Sequence, residues 1–256
     1  MPTGSGAARL FVGTSGWNYE GWREVFYPDD LAQRKWLSYY AERFNTAEVN
    51  YPFYHLPRTS TYENWRAATP PGFVFALKAS RLITHIKRLR GVAAQWEEFV
   101  TRAQALGDKL GPVLLQFPPS FRQTAENLQL MEDLLGSCVG RPAFRIAAEF
   151  RHESCFGDKM LALLRRHDAA LVISHSARYP VPEVVATASF VYFRFHGPRE
   201  LFASSYSPAE LRRWGARMRT FLKDGRDVYA YFNNDFEGYA PRNAASLVKA
   251  VNWRTA

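Results

Sequence analysis

No apolar run in this 256-residue chain approaches the roughly 20 residues that a membrane-crossing helix needs, so a membrane protein is not expected. Cysteine is scarce. Cys138 and Cys155 are the only two, too few for a disulfide framework or a zinc site. There is no Gly-x-Gly-x-x-Gly or Walker motif, which removes the main support for a doubly wound nucleotide fold. There is no Gly-x-Ser-x-Gly elbow around Ser15, so Gly13 and Gly16 read as turn or close-approach glycines and not as flanks of a nucleophile. Residues 1–8 lack the basic start and apolar stretch of an export signal and read as a short frayed leader before one domain over 9–256. The expected location is the cytoplasm, with both cysteines as free thiols.

Acidic side chains are also the minority: 24 against 33 basic, a net charge of +9. That excess favours polyanions as partners, although Arg165, Arg166, Arg212, Arg213, Arg217, Arg219 and Lys223 fall on expected helix surfaces, where charge is ordinary. Nucleic acid and a small anionic substrate are therefore the two partner classes; oligomeric state is left open.

What the chain does have is a 47% hydrophobic content arranged in alternating short and long apolar segments. Strands are expected at Leu10–Val12, Ala47–Tyr54, Phe73–Ala79, Val113–Phe117, Arg145–Arg151, Ala170–Ser174, Phe190–His196 and Asp227–Asn233. Helices are expected at Lys35–Phe44, from a Ser60–Glu63 capping box, at Val92–Leu110, Ala125–Leu135, Asp158–His167, from a Ser207–Glu210 capping box, and at Asn243–Val251. Only 177–188, with Pro180 and Pro182, shows no helical pattern. Eight strands separated by helices require a parallel sheet, and about 250 residues suit a closed (β/α)8 TIM-type barrel with one irregular connection in place of a helix.

The strands keep ending in charged or amide residues: Glu48 and Asn50, Lys78, Gln116, Glu149, Arg151 and His152, Arg194 and His196, Asn233 and Asp235. Burying such groups costs roughly several kcal/mol each unless they pair. A barrel gathers its C-terminal strand ends into one mouth, where active sites sit. Arg194, Arg151 and Lys78 are candidate anion holders. Glu48 or Glu149 is the candidate base and His196 the candidate acid. Asn50, Gln116, His152, Asn233 and Asp235 are candidate substrate contacts, and Trp17, in an aromatic loop with Tyr19, Trp22, Phe26 and Tyr27, a candidate stacking surface. Arg81, His85, Lys87, Arg88 and Arg90 add a basic stretch near the same rim, where a phosphodiester chain could lie. Glu48, Glu149, His196 and Asp235 include metal-ligand types, but three cations in the same mouth oppose a divalent ion. No cofactor or metal is expected, with a divalent ion as the weaker alternative.

Several segments together resemble one family. Gly13-Thr-Ser-Gly-Trp17 with Trp22 and Phe26-Tyr-Pro28, Glu48-Val-Asn50 with Phe53-Tyr54, Lys78 with Thr84-His85, Leu115-Gln-Phe-Pro-Pro119, Glu149-Phe-Arg-His152, Arg194-Phe-His-Gly197 and Tyr231-Phe-Asn-Asn-Asp235 are similar to blocks of the YecE-like family, domain of unknown function 72. The resemblance implies a TIM-type barrel and supports the pocket; it implies no particular reaction. Cys155 stands where the family usually has tryptophan, which implies a looser wall there. Three functions are carried forward: an enzyme on a phosphorylated or other anionic substrate, a nucleic-acid binding or processing protein, and a non-catalytic ligand-binding barrel.

Overall fold

A computed structural model describes residues 7–138, 144–179 and 183–253; residues 1–6 of the expected leader, and Pro180 and Pro182 of the irregular connection, lie outside that range. Eight strands, β1 (Leu10–Thr14), β2 (Thr46–Val49), β3 (Val74–Lys78), β4 (Leu110–Gln116), β5 (Ile146–Glu149), β6 (Ala170–His175), β7 (Phe190–Phe195) and β8 (Asp227–Phe232), lie in the order β1-β8-β7-β6-β5-β4-β3-β2. Every ladder is parallel. Helices α1 (Trp36–Ala41), α2 (Tyr51–Tyr54), α3 (Thr59–Ala67), α4 (Ala93–Ala103), α5 (Ala125–Gly136), α6 (Asp158–Arg166), α7 (Pro208–Lys223) and α8 (Tyr239–Val251) fill the connections. This is the expected (β/α)8 TIM-type barrel. No helix occupies the described part of the β6–β7 connection. No helix among the described residues is long and apolar enough to cross a membrane.

The seam between β1 and β2 is closed by side chains more than by a ladder. A single bridge joins Ser15 and Glu48, with the Gly16 N–H donating to the Glu48 carbonyl at 2.7 Å. Below it, the Asn45 amide donates to the Leu10 carbonyl at 2.8 Å and accepts from Val12 N–H at 3.2 Å. Tyr40 from α1 accepts from Thr14 N–H at 2.8 Å and donates to the Thr46 carbonyl at 3.0 Å. Gly13 makes that approach achievable, since a Cβ there would lie 2.1 Å from the Thr46 carbonyl oxygen.

The barrel interior is filled from one side. Phe11, Phe190, Tyr192, Tyr229 and Tyr231 on β1, β7 and β8 pack with the smaller Val74, Ala76, Leu114, Ala147, Ala170 and Val172 on β3 to β6. Buried hydroxyls need partners. Tyr231 finds Thr46 Oγ1 at 2.7 Å and Tyr192 finds Glu48 at 2.7 Å. This large-against-small filling leaves the layer above free for charged groups.

Three local expectations are corrected. The strand expected over 47–54 ends at Val49, because Asn50 turns into the helical region and Tyr51–Tyr54 forms α2. The helix expected over 92–110 ends at Ala103. A 3-10 turn follows, with Gly107 at φ 57, and β4 already begins at Leu110. Ser60 does not cap, since α3 starts at Thr59 after Arg58 with no side-chain cap. The Ser207–Glu210 box does form, and Pro208 occupies the first turn of α7.

Candidate functional site

The C-terminal strand ends converge on Arg194, which is 1% exposed. Period-two alternation along β7 turns Tyr192 and Arg194 inward while Phe193 and Phe195 pack outward against Trp214 of α7. The guanidinium grips Glu48 with two parallel bonds, Nε to Oε2 at 2.9 Å and Nη2 to Oε1 at 2.7 Å. Its Nη1 donates to Glu149 Oε2 at 2.5 Å. Two carboxylates, from β2 and β5, thus share one arginine from β7.

Glu48 is fully buried and its acceptor sites are occupied. Besides Arg194, it accepts from Ser15 Oγ and from the Tyr192 hydroxyl. Glu149 is less enclosed by donors. Its Oε1 faces Arg151 Nε at 3.4 Å and His196 Nε2 at 4.0 Å. Burial by itself pushes the Glu149 carboxyl up, but the charge of Arg194, then His196 and Arg151, outweighs it and holds the pKa down at about 2.

His196 is buried at the end of β7. The Asn233 amide nitrogen lies 3.1 Å from its Nδ1, so Nδ1 accepts and the ring proton sits on Nε2. Among the described residues Nε2 has no hydrogen-bond partner. Burial and then the Arg194 charge push the ring down to about 3, which keeps it neutral at pH 7. A neutral donor and an ionised acceptor therefore face each other across a gap too long for a direct bond.

Lys78, at the end of β3, is half-buried. Its Nζ sits 3.9 Å from the centre of the Phe53 ring of α2, and no carboxylate lies within salt-bridge distance among the described residues. Burial, followed by the Arg194 charge, lowers its pKa to about 7. Gln116 donates to the Phe117 carbonyl at 2.7 Å and lies 3.4 Å from His85 Nε2. His85 stands edge-on to Phe53 at 5.0 Å, and burial and the neighbouring Lys78 push it down to about 4.

The remaining candidates fall at the rim. Arg151 lies 4.9 Å over the Tyr179 ring. Asn50 donates to Ser15 Oγ at 3.2 Å, while its Oδ1 is buried with no partner among the described residues. His152 caps the short turn Glu153–Phe156, its Nδ1 taking the Ser154 N–H at 3.2 Å. The Asp235 backbone carbonyl accepts from Trp22 Nε1 at 3.1 Å, and burial pushes its carboxyl pKa up. Trp17 stands edge-on to Trp65 at 5.6 Å and lines a 760 Å³ cavity beside the mouth with Tyr19, Asn50, Tyr51 and Tyr54. Trp22 and Tyr27 of the same loop are core, Tyr27 stacking on Trp36 at 4.5 Å. Cys155 is buried, and burial pushes its thiol up to about 11.

Glu48, Lys78, Gln116, Glu149, Arg194, His196 and Asn233 meet at the mouth, with Arg151, Asn50, His152, Asp235 and Trp17 at its rim. Phe53 and Tyr192 were not expected as members, while His85 was expected only as part of a basic rim and Ser15 only as a weak nucleophile candidate. Tyr192 was legible, two residues before Arg194 on the same strand face. Phe53 was not, because it reaches Lys78 only through the turn at Asn50. Among the described residues no cluster of three metal-ligating side chains occurs.

The architecture recurs in solved structures. A family protein from Thermotoga maritima shares 28% identity, with 96% of this chain and all of that one covered at a TM-score of 0.85. One from Enterococcus faecalis, 22% identical, superposes at 0.81 over 96% and 97% of the two chains, a likeness of fold. Among curated sequences, the UPF0759 protein YunF of Bacillus subtilis is 24% identical over 95% of each chain. The UPF0759 protein YecE of Escherichia coli is 29% identical over 147 residues, 57% of this chain and half of that protein. A family model described as a protein of unknown function, DUF72, matches residues 11–256, and the chain belongs to that family.

Proposed function

We propose that this protein is an enzyme that binds a small anionic substrate, such as a phosphorylated one, at the C-terminal mouth and acts on it by acid–base chemistry. The observation that carries this reading is the charge arrangement. Arg194 already holds both buried carboxylates, while Lys78 at the rim has no carboxylate partner and Arg151 only a long contact to Glu149. Beyond that contact, neither Lys78 nor Arg151 has a close carboxylate among the described residues, Asp235 included, and an anion supplies the partner they lack.

The roles follow from which atoms are free. Arg151 holds the anion with Lys78 beside it. Arg194 positions Glu48 and Glu149 instead of clamping substrate, since most of its donors are engaged. Glu149 is the acceptor and His196 Nε2 the donor, and a substrate atom or water occupies the gap between them. Glu48, with its oxygens engaged, is part of the scaffold. Asn50, Gln116, Asn233 and Asp235 orient the substrate, and Trp17 borders the cavity that receives its remainder. A cytoplasmic setting is part of the same reading, since the sequence carries only two cysteines.

The test is a thermal-shift screen of phosphorylated metabolites against wild type and Arg151→Ala. Stabilisation by one compound class, lost in the variant, supports the reading. No stabilisation by any anion, or stabilisation unchanged in Arg151→Ala, refutes it. Tight oligonucleotide binding that weakens steeply with salt and survives Arg151→Ala would instead favour a nucleic-acid surface built on the exposed Arg81 and Arg88.

A further inference from the structure

Two lysines leave bulk water in this fold, and their surroundings differ. Lys109 is buried beneath the barrel wall and fully engaged. Its Nζ donates to the Arg66 carbonyl at 2.7 Å, to Thr69 Oγ1 at 2.9 Å and to the Thr69 carbonyl. That is a structural lysine, its three donors all taken. Lys78 stands at a C-terminal strand end and donates to no oxygen among the described residues. Its Nζ lies 3.9 Å over the Phe53 ring, and the charges around it are mixed: burial and Arg194, with Arg151, outweigh Glu149 and Glu48.

An amine largely out of water, with no carboxylate in direct contact among the described residues and with Arg194 nearby, is placed to be a nucleophile. We propose that Lys78 attacks the carbonyl carbon of an anionic aldehyde or ketone and forms an iminium with it. This rests on the anion-binding reading above and narrows its substrate class to carbonyl compounds carrying a phosphate or carboxylate. Lys78 lies in the same mouth as Arg151, so the anion and the carbonyl carbon are held at two points. The low pKa of about 7 agrees with this geometry, since half the amine is neutral at that pH.

The step balances without a redox partner. The Nζ lone pair forms the C–N bond, and the carbonyl π electrons move to oxygen. That oxygen takes up the proton that nitrogen gives up and a second from solvent, and leaves as water, while the neutral His196 Nε2–H only donates a hydrogen bond to it. Nitrogen loses one proton and keeps one, giving the iminium; overall, amine, carbonyl and one proton yield iminium and water. Added borohydride delivers hydride to the iminium carbon and makes a stable secondary amine.

The experiment uses pyridoxal 5′-phosphate and glyoxylate as anionic aldehyde probes, with borohydride reduction, proteolysis and mass spectrometry of the full chain. The expected product is the Lys78 peptide, heavier by the probe less one oxygen. An ordinary lysine is about 1 part in 2,500 neutral at pH 7. Lys78 should therefore be labelled more than about tenfold faster than the exposed Lys35, Lys159, Lys223 and Lys249, even after discounting the weaker nucleophilicity of a less basic amine. Labelling should be half-maximal near pH 7 and should fall in Arg151→Ala. In Lys78→Met that peptide should carry no label. Label spread over the exposed lysines with Lys78 unmodified overturns the proposal. Should a phosphorylated compound still raise the melting temperature while Lys78 stays unlabelled, the anion site stands and the iminium does not. Neither stabilisation nor labelling overturns both.

Discussion

Arg194→Met removes the one cation shared by Glu48 and Glu149 while keeping a long apolar stem in place. Glu48 then retains only Ser15 and Tyr192 as donors, and Glu149 only the 3.4 Å contact to Arg151. Removing one partner of a buried pair costs about 3–5 kcal/mol, and two carboxylates are affected here, so the loss should reach the upper end, about 5 kcal/mol. At about 2–4 °C per kcal/mol for a domain of this size, the melting temperature should fall by about 10–20 °C. The pH dependence carries the sharper test. In the wild type the Glu149 pKa is held near 2, below its ordinary 4.5, so this group stabilises the fold above pH 4.5 and the contribution is lost as pH falls towards 2. Without Arg194, burial dominates and the folded state binds a proton that the unfolded chain does not. Stability then falls as pH rises, and the deficit relative to wild type is larger at pH 8 than at pH 5. Urea unfolding at both pH values measures it. A deficit under about 1.5 kcal/mol, or an equal deficit at the two pH values, refutes the shared-arginine account. Adding Glu48→Gln and Glu149→Gln to Arg194→Met should restore part of the loss, because no unpaired carboxylate then remains.

Three further outcomes are expected. Gly13→Ala places a Cβ against the Thr46 carbonyl oxygen and the Tyr40 hydroxyl, so the β1–β2 seam must open; the variant should lose at least about 2 kcal/mol by denaturant titration, and a near-neutral result would contradict the close approach. Asn45→Ala removes both side-chain bonds across the same seam and should cost about 2 kcal/mol, with faster hydrogen exchange at Val12, whereas unchanged Val12 protection would show that the ladder closes without it. Lys78→Met replaces an ammonium that the folded state disfavours. The unfolded chain binds that proton up to its ordinary pKa near 10.5 and the folded chain only to about 7, so wild-type stability should rise with pH between those values. The variant should be more stable than wild type at pH 6 and converge with it towards pH 10; a variant less stable at pH 6 would mean that the Phe53 ring stabilises the ammonium by more than burial and Arg194 disfavour it.

The alternation of apolar segments alone determines the barrel. Parallel strands separated by helices in this length have few other solutions. The clustering of Glu48, Lys78, Glu149, Arg194 and His196 followed from the same topology, because strand ends of one barrel meet at one rim. The α7 start at Ser207–Glu210 was equally readable, since a capping box is a local pattern. What sequence could not decide was pairing. Arg194, Arg151 and Lys78 look alike as cations along the chain. Only the fold engages Arg194 with two carboxylates, gives Arg151 one long contact, and leaves Lys78 on an aromatic ring. Glu48 and Glu149 were likewise indistinguishable until Ser15 and Tyr192, from other strands, filled the acceptor sites of one of them. Strand existence depends on periodicity within a few residues, which sequence records directly. The chemistry of each group depends on neighbours from 33 residues away, as for Ser15 and Glu48, to 146, as for Glu48 and Arg194, which only tertiary packing brings within reach.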